Sequence, residues 1–134
     1  MIYTEIQETE LELRLIKSEV KVFNTRYREG LNLLTAVGWS VTEDTWAKYC
    51  QMLADIESHL TKKNSLKVYF KLELFNSSSA KYIFKIIKKL NTAFHSGKDI
   101  KMYWSCATSN EREMIDTGLD LAGMCDFPFK ISHL

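Results

Sequence analysis

Between Leu66 and Phe94 the chain changes its hydrophobic period once, and abruptly. Leu66, Val68, Phe70, Leu72 and Leu74 alternate with the charged Lys67, Lys71 and Glu73, which predicts a strand with one apolar and one polar face. From about Ser78 to His95 the apolar residues Ile83, Ile86, Ile87, Leu90 and Phe94 fall at helical spacing, while Lys81, Lys85 and Lys88 lie on another face. Gly97 follows, a residue suited to the left-handed turn that ends a helix. The junction between the two periods is Asn76-Ser77-Ser78-Ser79.

The same reading extends in both directions. Val20–Phe23 and Leu31–Val37 are predicted as two strands joined by a polar turn ending in Gly30. Ser40 and Glu43 have capping-box spacing, with Thr42 as an alternative cap. The helix they open carries Trp46, Tyr49, Cys50, Leu53, Ile56 and Leu60 on its apolar side, with Lys48, Gln51, Asp55 and Lys62 facing elsewhere. Ile100, Met102, Trp104 and Cys106 alternate with Lys101, Tyr103 and Ser105 as another strand. Asn110 and Glu113 repeat the capping-box spacing before a short helix with Met114 and Ile115 that stops near Gly123. Phe127, Phe129 and Ile131 alternate in a last strand, and Pro128 places it at a sheet edge because proline donates no ladder hydrogen bond.

Strands and helices in alternation predict one α/β domain over residues 20–134 with crossover connections. Because Lys67, Lys71 and Glu73 interrupt one face of the best strand, the helices are expected mainly on one side of a mixed sheet. The other side is then expected to be at least partly open, either as a docking surface or simply as a solvated face. Residues 1–19 form an N-terminal extension without assigned structure, because Leu11, Leu13 and Leu15 alternate like a strand while Glu and Leu favour helix.

Composition narrows the function classes. Among 134 residues, Lys plus Arg total 18 and Asp plus Glu 17, a balance that argues against nucleic acid as the main partner. Cys50, Cys106 and Cys125 are odd in number and form no CxxC, so they read as reduced, mostly buried thiols. No apolar run approaches the roughly 20 residues of a membrane span, and the N-terminus lacks a signal-peptide core. A cytoplasmic location is the expectation, without membrane insertion. His59, His95 and His133 lack metal-ligand spacing, and no metal or other cofactor is expected. Glu111, Glu113, Asp116 and Asp120 form an acidic patch without the pattern of a calcium loop.

The serines at the strand-to-helix junction sit where first-turn amides lack intrahelical partners and the helix dipole is positive. Asn and Ser there ordinarily cap the helix. One residue suffices for a cap, however, and four small polar residues in a row also suit a phosphorylatable switch.

Leu72-Glu73-Leu74-Phe75-Asn76-Ser77-Ser78-Ser79-Ala80-Lys81 resembles the strand-to-helix signature of the SiaC family of bacterial biofilm regulators. Gly38-Trp39-Ser40-Val41-Thr42-Glu43-Asp44 is similar to that family's G-x-S-Y-P-E-N/D opening of the first helix, with Thr42 in place of the proline. Lys101-Met102-Tyr103-Trp104 resembles its V-x-W-Y-type strand, and Asp126-Phe127-Pro128-Phe129 its closing F/L-P-F segment. The resemblance covers roughly Val20 to Ile131. It implies a fold similar to the STAS domains of anti-anti-sigma factors and a switch rather than an enzyme. A partner serine kinase would phosphorylate a hydroxyl just after the Asn, a PP2C-type phosphatase would remove the phosphate, and the bare form would bind and regulate a diguanylate cyclase. The family's usual acceptor Thr falls on Ser77, with Ser78 and Ser79 as alternates that could instead cap the helix or pack against the sheet.

The expected switch region is therefore Asn76, Ser77, Ser78, Ser79 and Lys81, with Trp39 as a docking aromatic just before the first helix. Lys81, Lys85, Lys88 and Lys89 could meet an acidic partner or simply form a solvated face. Trp46 and Tyr49 read as core. Two other classes compete: a constitutive interaction module or anti-sigma-type antagonist without phosphorylation, and, more distantly, an enzyme. For the enzyme the chain shows neither a G-x-S-x-G elbow nor a phosphate-cradling glycine loop, and no small-molecule substrate is expected.

Overall fold

Among the described residues, five strands lie side by side in one sheet in the order in which they occur along the chain. The computed structural model describes residues 23–40, 43–106 and 111–133. The elements are β1 (Phe23–Arg28), β2 (Leu33–Ser40), α1 (Glu43–Lys62), β3 (Ser65–Phe75), α2 (Ser77–His95), β4 (Asp99–Cys106), α3 (Glu111–Ala122) and β5 (Phe129–His133). β1 pairs with β2 antiparallel, and every later pairing is parallel. The chain turns between β1 and β2 through a 3-10 segment, Glu29–Leu31, and Asn32 at φ 52°, a left-handed conformation that Asn adopts more readily than most residues. β5 is an edge strand, as Pro128 predicts, and the Pro128 carbonyl accepts from the Met102 amide at 3.0 Å.

Parallel crossovers are right-handed almost without exception, and here β2, β3, β4 and β5 step across the sheet in one direction. Helices on successive crossovers must then fall on the same face. One core results. Leu34 and Ala36 of β2, Leu66, Val68, Phe70 and Leu72 of β3, and Ile100, Met102 and Trp104 of β4 are fully buried against the helix layer. α2 contributes Ile83, Ile86, Ile87 and Leu90, the stripe its spacing predicts. α1 adds Tyr49, Met52 and Ile56, and α3 adds Met114 and Leu121. The mixed α/β sheet with helices on one face is the expected fold class.

Four local expectations need correction. The stretch 24–28, expected as a turn, is the body of β1. As an edge strand it tolerates exposed Asn24 and Arg26 on one side, while Phe23 and Tyr27 alternate inward. Its expected N-terminal part, residues 20–22, lies outside the described residues, as does the extension 1–19. On α1 the buried face runs through Met52 and His59, whereas Cys50 is exposed. His59 is a satisfied core histidine: its Nε2 donates to the Ser65 carbonyl at 2.8 Å, so its Nδ1 accepts from the Tyr27 hydroxyl at 2.5 Å.

The thiols also divide. Cys50 and Cys125 are free, and only the latter is half-buried. Burial, followed by the neighbouring Asp126, pushes the Cys125 thiol up to about 12, which disfavours the nucleophilic thiolate. Finally, the sheet face away from the helices is not open: Lys67, Tyr69 and Lys71 are 5%, 1% and 2% exposed. Alternation shows that those side chains share a face and says nothing of what lies over it.

Gly118 of α3 gives the packing a testable consequence. A Cβ there would meet Trp104 Cδ1 at 2.7 Å and Ile131 Cδ1 at 3.1 Å. The indole cannot retreat freely, since it is fully buried and donates to the Met114 carbonyl at 2.8 Å. Gly118→Ala should therefore destabilise by about 1–3 kcal/mol through overpacking, despite the ~1 kcal/mol that alanine ordinarily gains over glycine in a helix. Urea unfolding decides it, and a variant as stable as the parent or more so would refute the tight contact.

Candidate functional site

The sheet ends that lead into helices lie together, and at that end β2 and β3 change register. Gly38 pairs with Leu72 but Trp39 pairs with Leu74, so β3 bulges by one residue opposite Trp39. Gly38 takes φ 117°, a conformation open to glycine and strained for other residues. Beyond the bulge Ser40 pairs with Phe75, which sets the last residue of β2 beside the first turn of α2.

That placement defines what Ser40 does. It is not the cap of α1, which begins at Glu43, and the alternative Thr42 lies outside the described residues. Ser40 is instead completely buried, and its Oγ lies 2.7 Å from Ser79 Oγ and 2.8 Å from the Tyr49 hydroxyl. The proton directions follow from counting. Ser79 Oγ gives its one hydrogen to the Ser40 carbonyl in a short contact, so Ser40 Oγ donates to Ser79 Oγ and Tyr49 donates to Ser40. Burial raises the Tyr49 ionisation well above the usual phenol range and keeps that hydroxyl a neutral donor. The chain of hydroxyls therefore fixes the first turn of α2 to the end of β2.

Asn76 is the N-cap. Its extended backbone and its Oδ1, 3.0 Å from the Ser79 amide, close the first turn. The Ser79 side chain is thus occupied and fully buried, while Asn76, Ser77 and Ser78 are exposed. The cap uses one of the first-turn amides, leaving those of Ser77 and Ser78 as donors that no side chain takes among the described residues. The first turn contains no acidic residue. Lys81 is exposed four residues after Ser77, on the same face of the helix. Among the sequence-derived site residues, the structure brings together Asn76, Ser77, Ser78, Ser79 and Lys81.

Trp39 lies elsewhere at the same sheet end. It is half-buried, and its indole N–H donates to Glu73 Oε2 at 2.8 Å. By alternation it belongs to the face opposite Ser40. An aromatic stack joins α1 to α2, with Tyr82 stacked on Tyr49 at 5.4 Å and on Trp46 at 5.8 Å. Lys85 caps this stack, its Nζ 5.2 Å from the Tyr82 centroid. Sequence reasoning placed Trp46 and Tyr49 in the core and overlooked the polar use of Tyr49 and Ser40. The signal available was a small hydroxyl residue at the end of the strand expected to neighbour the helix start.

Two surroundings bound what the site does. A groove of about 590 Å³ runs between α1 and α2, lined by Leu53, Leu60 and Ala93 with Lys85, Lys88 and Lys98, and it includes none of residues 76–81. Among the described residues no group of three or more His, Cys, Asp or Glu is placed to hold a metal ion. Nor is any described helix long and apolar enough to cross a membrane.

Comparison with known proteins now bears on this geometry. Residues 23–134 match the family model described as SiaC family regulatory phosphoprotein. Among solved structures, the chain is similar to one in the crystal structure of the diguanylate cyclase SiaD in complex with its activator SiaC from Pseudomonas aeruginosa. That match has a TM-score of 0.78 and 22% identity, covering 89% of this chain and 98% of the other. The crystal structure of apo-SiaC from Pseudomonas aeruginosa matches with a TM-score of 0.74 and 22% identity, covering 84% and 91% respectively. No curated protein matches.

The hydroxyl network predicts a contrast between adjacent serines. Ser79→Ala removes the partner of two buried Ser40 groups and should cost about 1–3 kcal/mol. Ser78→Ala, at an exposed position, should stay within about 0.5 kcal/mol of the parent. Equal stability of the two variants in urea would show that the network does not hold the helix start.

Proposed function

Because the chain belongs to the SiaC family of regulatory phosphoproteins, we propose that it is a phospho-switch without catalytic activity of its own, with Ser77 as the acceptor. The observation that carries this reading is the contrast within the serine run: Ser79 is buried and fully bonded, while Ser77 is exposed beside open first-turn amides. A partner serine kinase would reach Ser77 without unfolding the helix, and a PP2C-type phosphatase would reverse the reaction. The bare form would bind and regulate an effector, a diguanylate cyclase by analogy with the SiaD–SiaC complex. We place the switch in the cytoplasm, where the free Cys50 and Cys125 thiols fit a reducing environment.

The physics of such a switch is local. Phosphate adds about −1.5 to −2 charges and three strong acceptor oxygens. A helix N-terminus can take them, because its amides and dipole favour an anion. Lys81, one turn on, adds a cation, and no first-turn carboxylate repels the group. The fold is therefore little changed, and the cost falls on the complex. A partner surface that buries the neutral Ser77 hydroxyl would have to desolvate a dianion, at several kcal/mol by order of magnitude. Since about 1.4 kcal/mol is tenfold in affinity, one phosphate suffices to release the partner.

Intact-mass measurement and phosphosite mapping on the protein from its native host provide the test. A phosphatase-removable phosphate on Ser77 is expected, and mapping to Ser78 would move the acceptor by one residue. In binding assays with the host's diguanylate cyclase, Ser77→Ala should bind like the bare protein and Ser77→Asp at least about tenfold more weakly. Equal binding by both variants, with no phosphate under any growth condition, would reduce the domain to a constitutive docking module.

A further inference from the structure

The groove of about 590 Å³ between α1 and α2 stands apart from the switch, since it takes in none of residues 76–81. Its floor is aliphatic: Ile56 and Ala93 are buried there, and Leu53 and Leu60 are half-buried. Its rim is basic. Lys85, Lys88, Lys89 and Lys98 line it, with Glu57 the one acid among the described lining residues. The lining therefore carries three net positive charges, whereas the whole chain carries one. Glu57 is engaged by Lys89 at 3.5 Å. Lys98 commits its three hydrogens to the Leu60 and Lys63 carbonyls and Asn64 Oδ1, so it adds charge without a spare donor. Lys85 lies over the Tyr82 ring and Lys88 is exposed, and neither meets a carboxylate among the described residues.

We propose that this groove binds a free single-chain amphiphile with an anionic head, a fatty carboxylate in its simplest form. The floor takes the hydrocarbon out of water, and the head lies at Lys85 and Lys88. Lys81, Lys85, Lys88 and Lys89 stand three and four residues apart on α2, spacings at which like charges repel, and a bound anion relieves that repulsion. Lysine suits such a head, being a point charge that asks for no planar partner. Size agrees as well, because small-ligand pockets run from about 300 to 1,000 Å³ and are mostly apolar with a few placed polar groups. The groove is also short. Its lining extends roughly 12 Å along each helix, from Leu53 to Thr61 and from Lys85 to Ala93. Two ties between the helix layers flank it: the stack of Tyr82 on Trp46 and Tyr49 at one end, and Lys98 on the Leu60 and Lys63 carbonyls at the other. A single hydrocarbon chain fits between the ties, whereas a partner helix, itself about 10–12 Å wide, would have to pass over both. A bilayer is the poorer match, since it takes up apolar residues on an outward helix face and these line a concave floor.

Calorimetric titration of the full-length chain with dodecanoate, kept below its micelle-forming concentration, tests this. Saturable binding of one dodecanoate per chain is expected, with dodecyltrimethylammonium, the same chain on a cationic head, at least about tenfold weaker. The double variant Lys85→Gln, Lys88→Gln should bind dodecanoate at least about tenfold more weakly than the parent. Thr92→Trp, which fills the groove from an exposed position in its lining, should abolish binding. Near-UV circular dichroism reports whether each variant is folded. No saturable binding to the parent, equal binding of the cationic amphiphile, or undiminished binding by folded Thr92→Trp overturns the proposal. Should the variants unfold, ¹H–¹⁵N spectra of the parent titrated with dodecanoate decide. Shifts centred on the amides of residues 53–61 and 85–93 support the groove, and shifts centred elsewhere overturn it. A chain that ignores dodecanoate but sediments with vesicles of phosphatidylcholine and phosphatidylglycerol overturns it in favour of a membrane surface. One that ignores dodecanoate but binds an acidic amphipathic peptide of Leu and Glu overturns it in favour of a protein partner.

Discussion

The handedness of the parallel crossovers, combined with a strand order that never reverses, is the constraint from which the rest of this molecule follows. Three crossovers taken in one direction put the three described helices on one face and their starts at one sheet end. In a doubly wound sheet the strand order reverses, the helices divide between the faces, and a ligand crevice opens at the reversal. Among the described strands there is no reversal and hence no such crevice. At that sheet end the first turn of α2 faces solvent through Ser77 and Ser78.

Within that frame the first turn of α2 separates holding from signalling. Ser79 and Asn76 hold the turn, one through Ser40 and Tyr49 beneath it and the other through the backbone amide of Ser79. Ser77 and Ser78 carry none of that load and face outward. A modification at either therefore reaches a binding surface without passing through the core. The aromatic stack of Trp46, Tyr82 and Tyr49 reinforces the separation, because it ties α1 to α2 just behind the turn. Ionisation of Tyr49 would break the hydroxyl chain, and burial moves it further above the usual phenol range.

Much of this was legible in the chain because two long segments are locally consistent. The period-2 run of β3 and the Ile83, Ile86, Ile87, Leu90 stripe of α2 each match their elements, and the junction between them is the site. What escaped was set by contacts between segments far apart. β1 carries Asn24, Thr25, Arg26 and Arg28, polar enough to read as a turn, yet pairing with β2 and the inward Phe23 and Tyr27 make it a strand. His59 shows only the absence of metal-ligand spacing in the sequence, and its core role appears once Tyr27 and Ser65 are placed around it. Ser40 has the spacing of a cap, but its neighbour across the sheet is Phe75, so its hydroxyl goes to Ser79 instead. Lys67 and Lys71 show the same limit: a charged residue in an alternating strand is assigned to water by pattern, and only the layer above it decides.

The identity of the capping residue sharpens the account of the switch. An aspartate at position 76 would close the first turn as well as Asn76 does, since both side chains offer an oxygen to the Ser79 amide. It would also place a full negative charge beside Ser77 and against the helix dipole, an interaction worth roughly 0.3–1 kcal/mol in its own right. The turn would then already be neutralised, and an added dianion on Ser77 would meet a like charge instead of an open pole. With Asn76 the cap satisfies the amide and leaves the pole positive, and the first turn holds no other acid. Neutral capping thus keeps the two states of Ser77 close in folding energy, so that the difference between them is felt at the partner surface.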